Sequence, residues 1–171
     1  DTSTITSLQD CFMDARSFNK PLNSWNVSNV ETTYQAFRDC ISFDQDLNSW
    51  DTSNVEDMAR TFWGCNNFNG DVYSWEVTNV EYMSYMFYDC DLFDQSLAAW
   101  QIVSVEDIQN FMTAATGLSS SNYDATLIAW ADGTVNDGLS INFGGSQYSV
   151  AGAAARQSLI DDDNWTITDG G

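Results

Sequence analysis

The side chains that usually carry enzymatic chemistry are unevenly supplied in this chain, which has 25 carboxylates, four cysteines and no histidine. Without imidazole, Ser-His-Asp and Cys-His nucleophile activation and His-bearing zinc sites are unavailable. Carboxylate pairs remain as common hydrolytic machinery, yet no Asp or Glu sits in a distinctive pocket motif, and a non-catalytic chain is expected. The dense acidic candidates for a cation are Asp44 with Asp46, Asp89 with Asp91, and Asp161–Asp163. Neither a D-x-[DN]-x-[DN]-G loop nor a G-G-x-G-x-D nonapeptide occurs, so calcium is kept as an option only at those places. No other cofactor is implied.

Aromatic rings offer a second chemistry, recognition, and they can be compared position by position because the chain repeats. Trp25, Trp50, Trp75 and Trp100 stand 25 residues apart within "LNSWNVSNVE", "LNSWDTSNVE", "VYSWEVTNVE" and "LAAWQIVSVE". Trp63 has Arg38 and Tyr88 as equivalents; Tyr82 replaces Thr32 and Asp57; Tyr85 replaces Gln35 and Arg60; Tyr73 replaces Asn23 and Asn48. If exposed, Trp63, Tyr73, Tyr82, Tyr85 and Tyr88 would form a patch in the third and fourth units, and such patches mark interaction surfaces. Beside Asp, Asn and Gln, rings of this kind suit sugars and protein partners equally; the competing reading is plain cover over neighbouring units. Asp51 and Glu76 would lie side by side, an unfavourable like-charge pair that a cation, a ligand amine or a hydroxyl would relieve.

A fixed period in this range marks a stacked architecture, in which each unit needs its neighbours. Inward positions should then persist. Val30, Val55, Val80 and Val105 form one column with Ile5 at its head; Phe12, Phe37, Phe62 and Phe87 form another, ending in Met112. Phe18, Phe43, Phe68 and Phe93 make a third, and Leu22, Leu47, Val72 and Leu97 a fourth. The tryptophans share parity with Val27, Thr52, Val77 and Ile102, which points them inward; Asn26, Asp51, Glu76 and Gln101 then point out.

Within a unit, Val55, Met58, Phe62 and Cys65 fall on one stripe of a short helix. Ser28 with Glu31, Ser53 with Glu56 and Thr78 with Glu81 match the capping box that would start it. The alternation around Trp25–Val27 and Trp50–Thr52 predicts a short strand before each cap. The reading is α/β: a leucine-rich-repeat-like solenoid of short parallel strands and short helices, with about five units over 1–117. Residues 118–171 break the period and read as an α/β C-terminal cap packed on the last unit: a helix capped by Ser121 or Asn122, a strand at "LSINF", a helix over Ala151–Ile160 and a strand at "WTIT".

Cys40, Cys65 and Cys90 repeat with the core period, and two readings stay open. They are buried free thiols, which behave as small apolar residues. Or, at about 5 Å between adjacent units, they pair as Cys11–Cys40 and Cys65–Cys90.

The string "W-[DN]-[TV]-S-N-V-E-x-M-x-x-x-F-x-x-C-x-x-F-[DN]-Q-x-L" resembles the repeat of BspA-like leucine-rich-repeat bacterial surface proteins, related to repeats in mycoplasma lipoproteins. "NYDATLIAWA…YSVAGAAARQSLI…WTITDGG" is similar to the C-terminal piece that follows such repeats in secreted proteins of marine bacteria. The resemblance implies a secreted or cell-surface chain with adhesion to a protein, matrix or glycan on another cell, and no catalytic residue; some such proteins bind fibronectin-like or mucus ligands.

Five basic residues (Arg16, Lys20, Arg38, Arg60, Arg156) leave a net charge of −20, which argues against nucleic acid and anionic membranes as partners. No stretch nears the roughly 18 apolar residues of a membrane span. Lacking a start Met, signal peptide or anchoring motif, the sequence reads as a piece of a longer secreted chain, monomeric in isolation. The functional expectation is an adhesion domain binding a cell-surface protein; the alternatives are a carbohydrate-binding module of a polysaccharide-degrading enzyme or a structural spacer.

Overall fold

The computed structural model describes residues 2–171. Successive 25-residue units lie in parallel register, joined by single parallel bridges along Ser7, Thr32, Asp57, Tyr82 and Asp107. Beside each bridge, four alternate amides of one unit donate to carbonyls of the next. Leu8, Asp10, Phe12 and Asp14 donate to Thr32, Tyr34, Ala36 and Arg38 at 2.8–3.1 Å, and the pattern recurs from Thr33, Gln35, Phe37 and Asp39 onward. At a net of about 0.5–1.5 kcal/mol per bond, the four together hold each junction.

The intervening amides stay local. Cys11, Met13 and Ala15 donate three residues back to Leu8, Asp10 and Phe12. This series of tight turns needs left-handed residues at every fourth position, and φ is positive at Asp10, Asp14, Gln35, Asp39, Arg60, Gly64, Tyr85 and Asp89. Asp, Asn and Gly tolerate that region best.

The short helix expected over Val55–Cys65 is therefore absent. Its alternate amides are committed to the next unit and those between them bond three residues back, where an α-helix would send all of them four residues back. The expected capping boxes do not form either: the Ser28 and Ser53 hydroxyls donate to Asn26 and Asp51, at 2.8 and 2.6 Å. The signal that opens the turns lies further on, where Ser7, Thr32, Asp57 and Asp107 side chains each accept the N–H two residues ahead, as short polar residues do in turns. No strand is assigned at Trp25–Val27 or Trp50–Thr52; the parallel bridges fall at the Thr32 column.

Side chains inside follow the columns. Phe37 and Phe62 stack at 5.5 Å and 8°, Phe62 and Phe87 at 5.5 Å and 8°, Trp50 and Trp75 at 6.1 Å and 0°, all buried. Each buried indole N–H of the repeated column reaches the previous unit: Trp50, Trp75 and Trp100 donate to the carbonyls of Leu22, Leu47 and Val72.

After Leu118 the period gives way to α1 (Ser120–Asp132), β1 (Ser140–Asn142), α2 (Val150–Asp161) and β2 (Thr166–Thr168), with β1 and β2 parallel. These are the two helices and two strands expected there, with the α1 N-cap at Ser119 in place of Ser121 or Asn122. The segment seats on the last unit through Leu97 N–H to Thr126, Met112 N–H to Asn142 and Asn136 to the Val105 carbonyl. One hydrophobic core runs from Leu8 to Trp165. Inside the segment, Asp169 accepts from Tyr123 and from Arg156, each at 2.7 Å.

Candidate functional site

Two neighbouring columns of the turn series face outward, one holding Arg38, Trp63 and Tyr88 and the other Gln35, Arg60 and Tyr85, all half-buried. Parallel register brings them together. Trp63 lies 5.0 Å from Tyr85 and 4.6 Å from Tyr88, ring to ring. The Arg60 guanidinium sits 5.7, 5.4 and 5.6 Å from the rings of Trp63, Tyr85 and Tyr34, and its Nη1 donates to the Tyr34 phenol oxygen. Arg38 lies 5.4 Å from the Trp63 ring and pairs with Asp39 at 3.3 Å. Among the described residues, Arg60 has no carboxylate at ion-pair distance.

Three members of this cluster, Tyr34, Arg38 and Arg60, were not legible as site residues from sequence. The signal was present: Arg38 stands one period before Trp63, and Arg60 one period before Tyr85.

Tyr73 and Tyr82, the other expected aromatics, are 49% and 41% exposed and make no ring contact with the cluster. The five-ring patch is therefore a three-ring cluster and two separate rings. Tyr82 lies in the bridge column, where its phenol is pushed up chiefly by the Glu81 carboxylate and then by Glu106. Asp51 and Glu76 are exposed, and each accepts a hydroxyl and an amide from its own chain, Ser53 in one case and Thr78 in the other. The hydroxyl expected from a ligand is thus supplied internally.

Of the acidic candidates for calcium, the first pair is similarly engaged. Asp44 and Asp46 accept the amides of Asn69 and Asp71 at 2.9 and 3.0 Å. Among the described residues, no group of three or more carboxylates or thiols is arranged to hold a metal ion.

All four cysteines are free, so neither Cys11–Cys40 nor Cys65–Cys90 is bridged. The Cys40, Cys65 and Cys90 thiols donate to the carbonyls of Phe12, Phe37 and Phe62 at 2.8–2.9 Å. Burial pushes Cys40 up to about 11 and raises Cys65 and Cys90 as well, which keeps all three as unreactive thiols. Cys11 is exposed.

A separate cleft of about 470 Å³ opens between residues 98–103 and the end of α1. Asp132 is its one ionisable lining residue, and the indole N–H of Trp130, which also lines it, has no partner among the described residues.

No helix among the described residues is long and apolar enough to cross a membrane. Comparison with curated proteins and with solved structures found no match. A family model described as "Mycoplasma protein of unknown function, DUF285" matches residues 6–126, which include every member of the Trp63 cluster and all five parallel units. The chain belongs to that family of mycoplasma proteins of unknown function.

Proposed function

We propose that this chain is a non-catalytic recognition module of a secreted or cell-surface protein, a leucine-rich-repeat-like solenoid that binds a protein partner through the Trp63 cluster. The observation that carries the reading is the cluster's make-up. Trp, Tyr and Arg are the residue types that dominate protein–protein hot spots, and here six of them meet, five in columns that elsewhere carry Asp10, Asn110, Met13 and Thr113. Arg60 is free to receive a partner carboxylate, with stacked rings already holding its guanidinium in place, so little side-chain freedom is lost on binding.

A protein is favoured over a glycan because the cluster's ring faces are turned on one another and on two guanidiniums, whereas a sugar needs a free ring face. Placement outside the cell rests on the resemblance of the repeats to BspA-like surface proteins, and the solenoid reading on the four-bond junctions between parallel units.

The test is a binding screen of the intact chain against immobilised extracellular-matrix and cell-surface proteins in parallel with a glycan array. Arg60→Ala and Trp63→Ala should weaken a protein interaction at least tenfold, with Tyr73→Ala as the unaffected control. Glycan binding lost in the Tyr73 or Tyr82 variants would support the carbohydrate reading instead, and silence in both screens the spacer.

A further inference from the structure

The last of the four tryptophan strings, "LAAWQIVSVE", departs from the other three at positions that meet in space. Ala98 stands where they have Asn23, Asn48 and Tyr73; Ala99 where they have Ser24, Ser49 and Ser74; Val103 where they have Ser28, Ser53 and Thr78. All three line the cleft of about 470 Å³ against the end of α1. The side chains trimmed or turned apolar are thus those of the cleft wall.

The same stretch leaves backbone unpaired. The carbonyls of Asn23 and Asn48 accept the Ser49 and Ser74 hydroxyls, and those of Ser28 and Ser53 accept the Asn54 and Asn79 side-chain amides. Those of Ala98 and Val103 accept nothing among the described residues. Across the cleft, α1 ends without a counter-charge. Its last turn holds no basic residue, and the carboxylate and the carbonyl of Asp132 are both without a partner among the described residues. Free carbonyls at a helix C-terminus carry negative partial charge and favour a cation. Against these acceptors stands a single buried donor. Trp130 is 2% exposed, and its indole N–H is the one buried side-chain polar atom without a partner among the described residues. Buried donors are nearly always paired, so this one calls for an oxygen.

We propose that the cleft is a binding site for an unacetylated amino sugar. The ammonium answers the Asp132 carboxylate and the end of α1, ring hydroxyls donate to the Ala98 and Val103 carbonyls, and a sugar oxygen accepts from Trp130. The C–H face of the ring lies on Ala99, Val103 and Val135. The volume falls within the range of about 300–1,000 Å³ typical of small-ligand sites. A net charge of −20 draws in a cation and repels a sugar acid. A bare alkylamine would bring no oxygen to Trp130, and a neutral sugar no cation to Asp132. No member of the Trp63 cluster lines the cleft, so the two sites stand or fall separately.

The test is a titration of the intact, isotope-labelled chain followed by NMR at its seven indole N–H signals. The probes are the glucosamine disaccharide with free amines, its diacetylated form and cellobiose. The free amine should move the Trp130 signal saturably, and the other two should bind at least tenfold more weakly. Asp132→Asn should weaken the amine about tenfold. Ala98→Tyr restores the ring that the preceding string carries there, and should abolish binding by filling the cleft. Asp137→Asn, outside the cleft lining, should leave it unchanged. An unmoved Trp130 signal in the unmutated chain overturns the proposal. So does equal binding of the diacetylated sugar, which would leave the ammonium no part in recognition. Equal weakening by Asp132→Asn and Asp137→Asn overturns it too, since net charge alone would then account for the binding.

Discussion

Residues 2–118 and residues 119–171 share one core yet reach it by opposite routes. In the repeated part, hydrogen-bond partners lie about one period apart and like side chains meet like, so rings stack nearly parallel, as Trp75 and Trp100 do at 3°. In the closing part, bonds are largely local to two helices and rings meet unlike neighbours at steep angles, such as Trp130 and Trp165 at 59°. Translation, once set, lets a single good contact be copied; termination requires each contact to be made once. The repeated part therefore depends on its neighbours for secondary structure, and the closing part supplies its own.

The sharpest attack on this contrast is Phe62→Ala, which opens a void among Phe37, Phe68, Trp75 and Phe87. A loss of about 3–5 kcal/mol is expected. Urea unfolding followed by tryptophan fluorescence and far-ultraviolet dichroism together should show both signals shifting in one transition; helical signal that outlasts the fluorescence change would mean the two parts are separately stable.

Next in size is the closing part's own ion pair. Arg156→Met leaves the almost wholly buried Asp169 carboxylate without its cation, at a cost of about 3 kcal/mol. Burial pushes the Asp169 carboxyl up, but hydrogen bonds from Arg156 and Tyr123 and the guanidinium charge outweigh it, and the net shift is downward. A lowered carboxyl stabilises the fold above its unfolded value near 4 and loses that contribution as the solution is acidified through its folded value. The wild type should therefore lose stability on acidification below about pH 4. Arg156→Met should flatten that slope, read as the urea midpoint against pH.

Smaller still is Trp75→Phe, which keeps the ring stack but strips the N–H from the Leu47 carbonyl; about 1–2 kcal/mol should go. The least effect runs the other way. At the bridge column Tyr82 alone lacks the short polar side chain that elsewhere accepts the amide two residues ahead, so Tyr82→Thr should gain about 0.5 kcal/mol in thermal unfolding.

The columns of Val, Phe, Leu and Trp could be read directly because burial constrains residue type at each, and the period carries that constraint from unit to unit. The parity that put Trp50 inside and Asp51 outside followed from the same pattern, and both are so placed. The helix over Val55–Cys65 misled because alternating turns space apolar residues much as a helical stripe does. What separates them is left-handed backbone at Arg60 and Gly64, and Arg60 does not advertise that region as Gly64 does. The candidate site was half visible: its rings stood out against the repeat, but Arg60 looked like ordinary surface until register set it over three of them.

The junction bonds have an electrical consequence. Each junction aligns four or five peptide groups in one sense against two or three in the other, so their dipoles accumulate along the stacking axis as they do in a helix. The pole at the first unit is negative and the opposite pole positive. Arg16 and Lys20, two of the five cations, lie in that first unit, where they partly offset the field that the backbone generates.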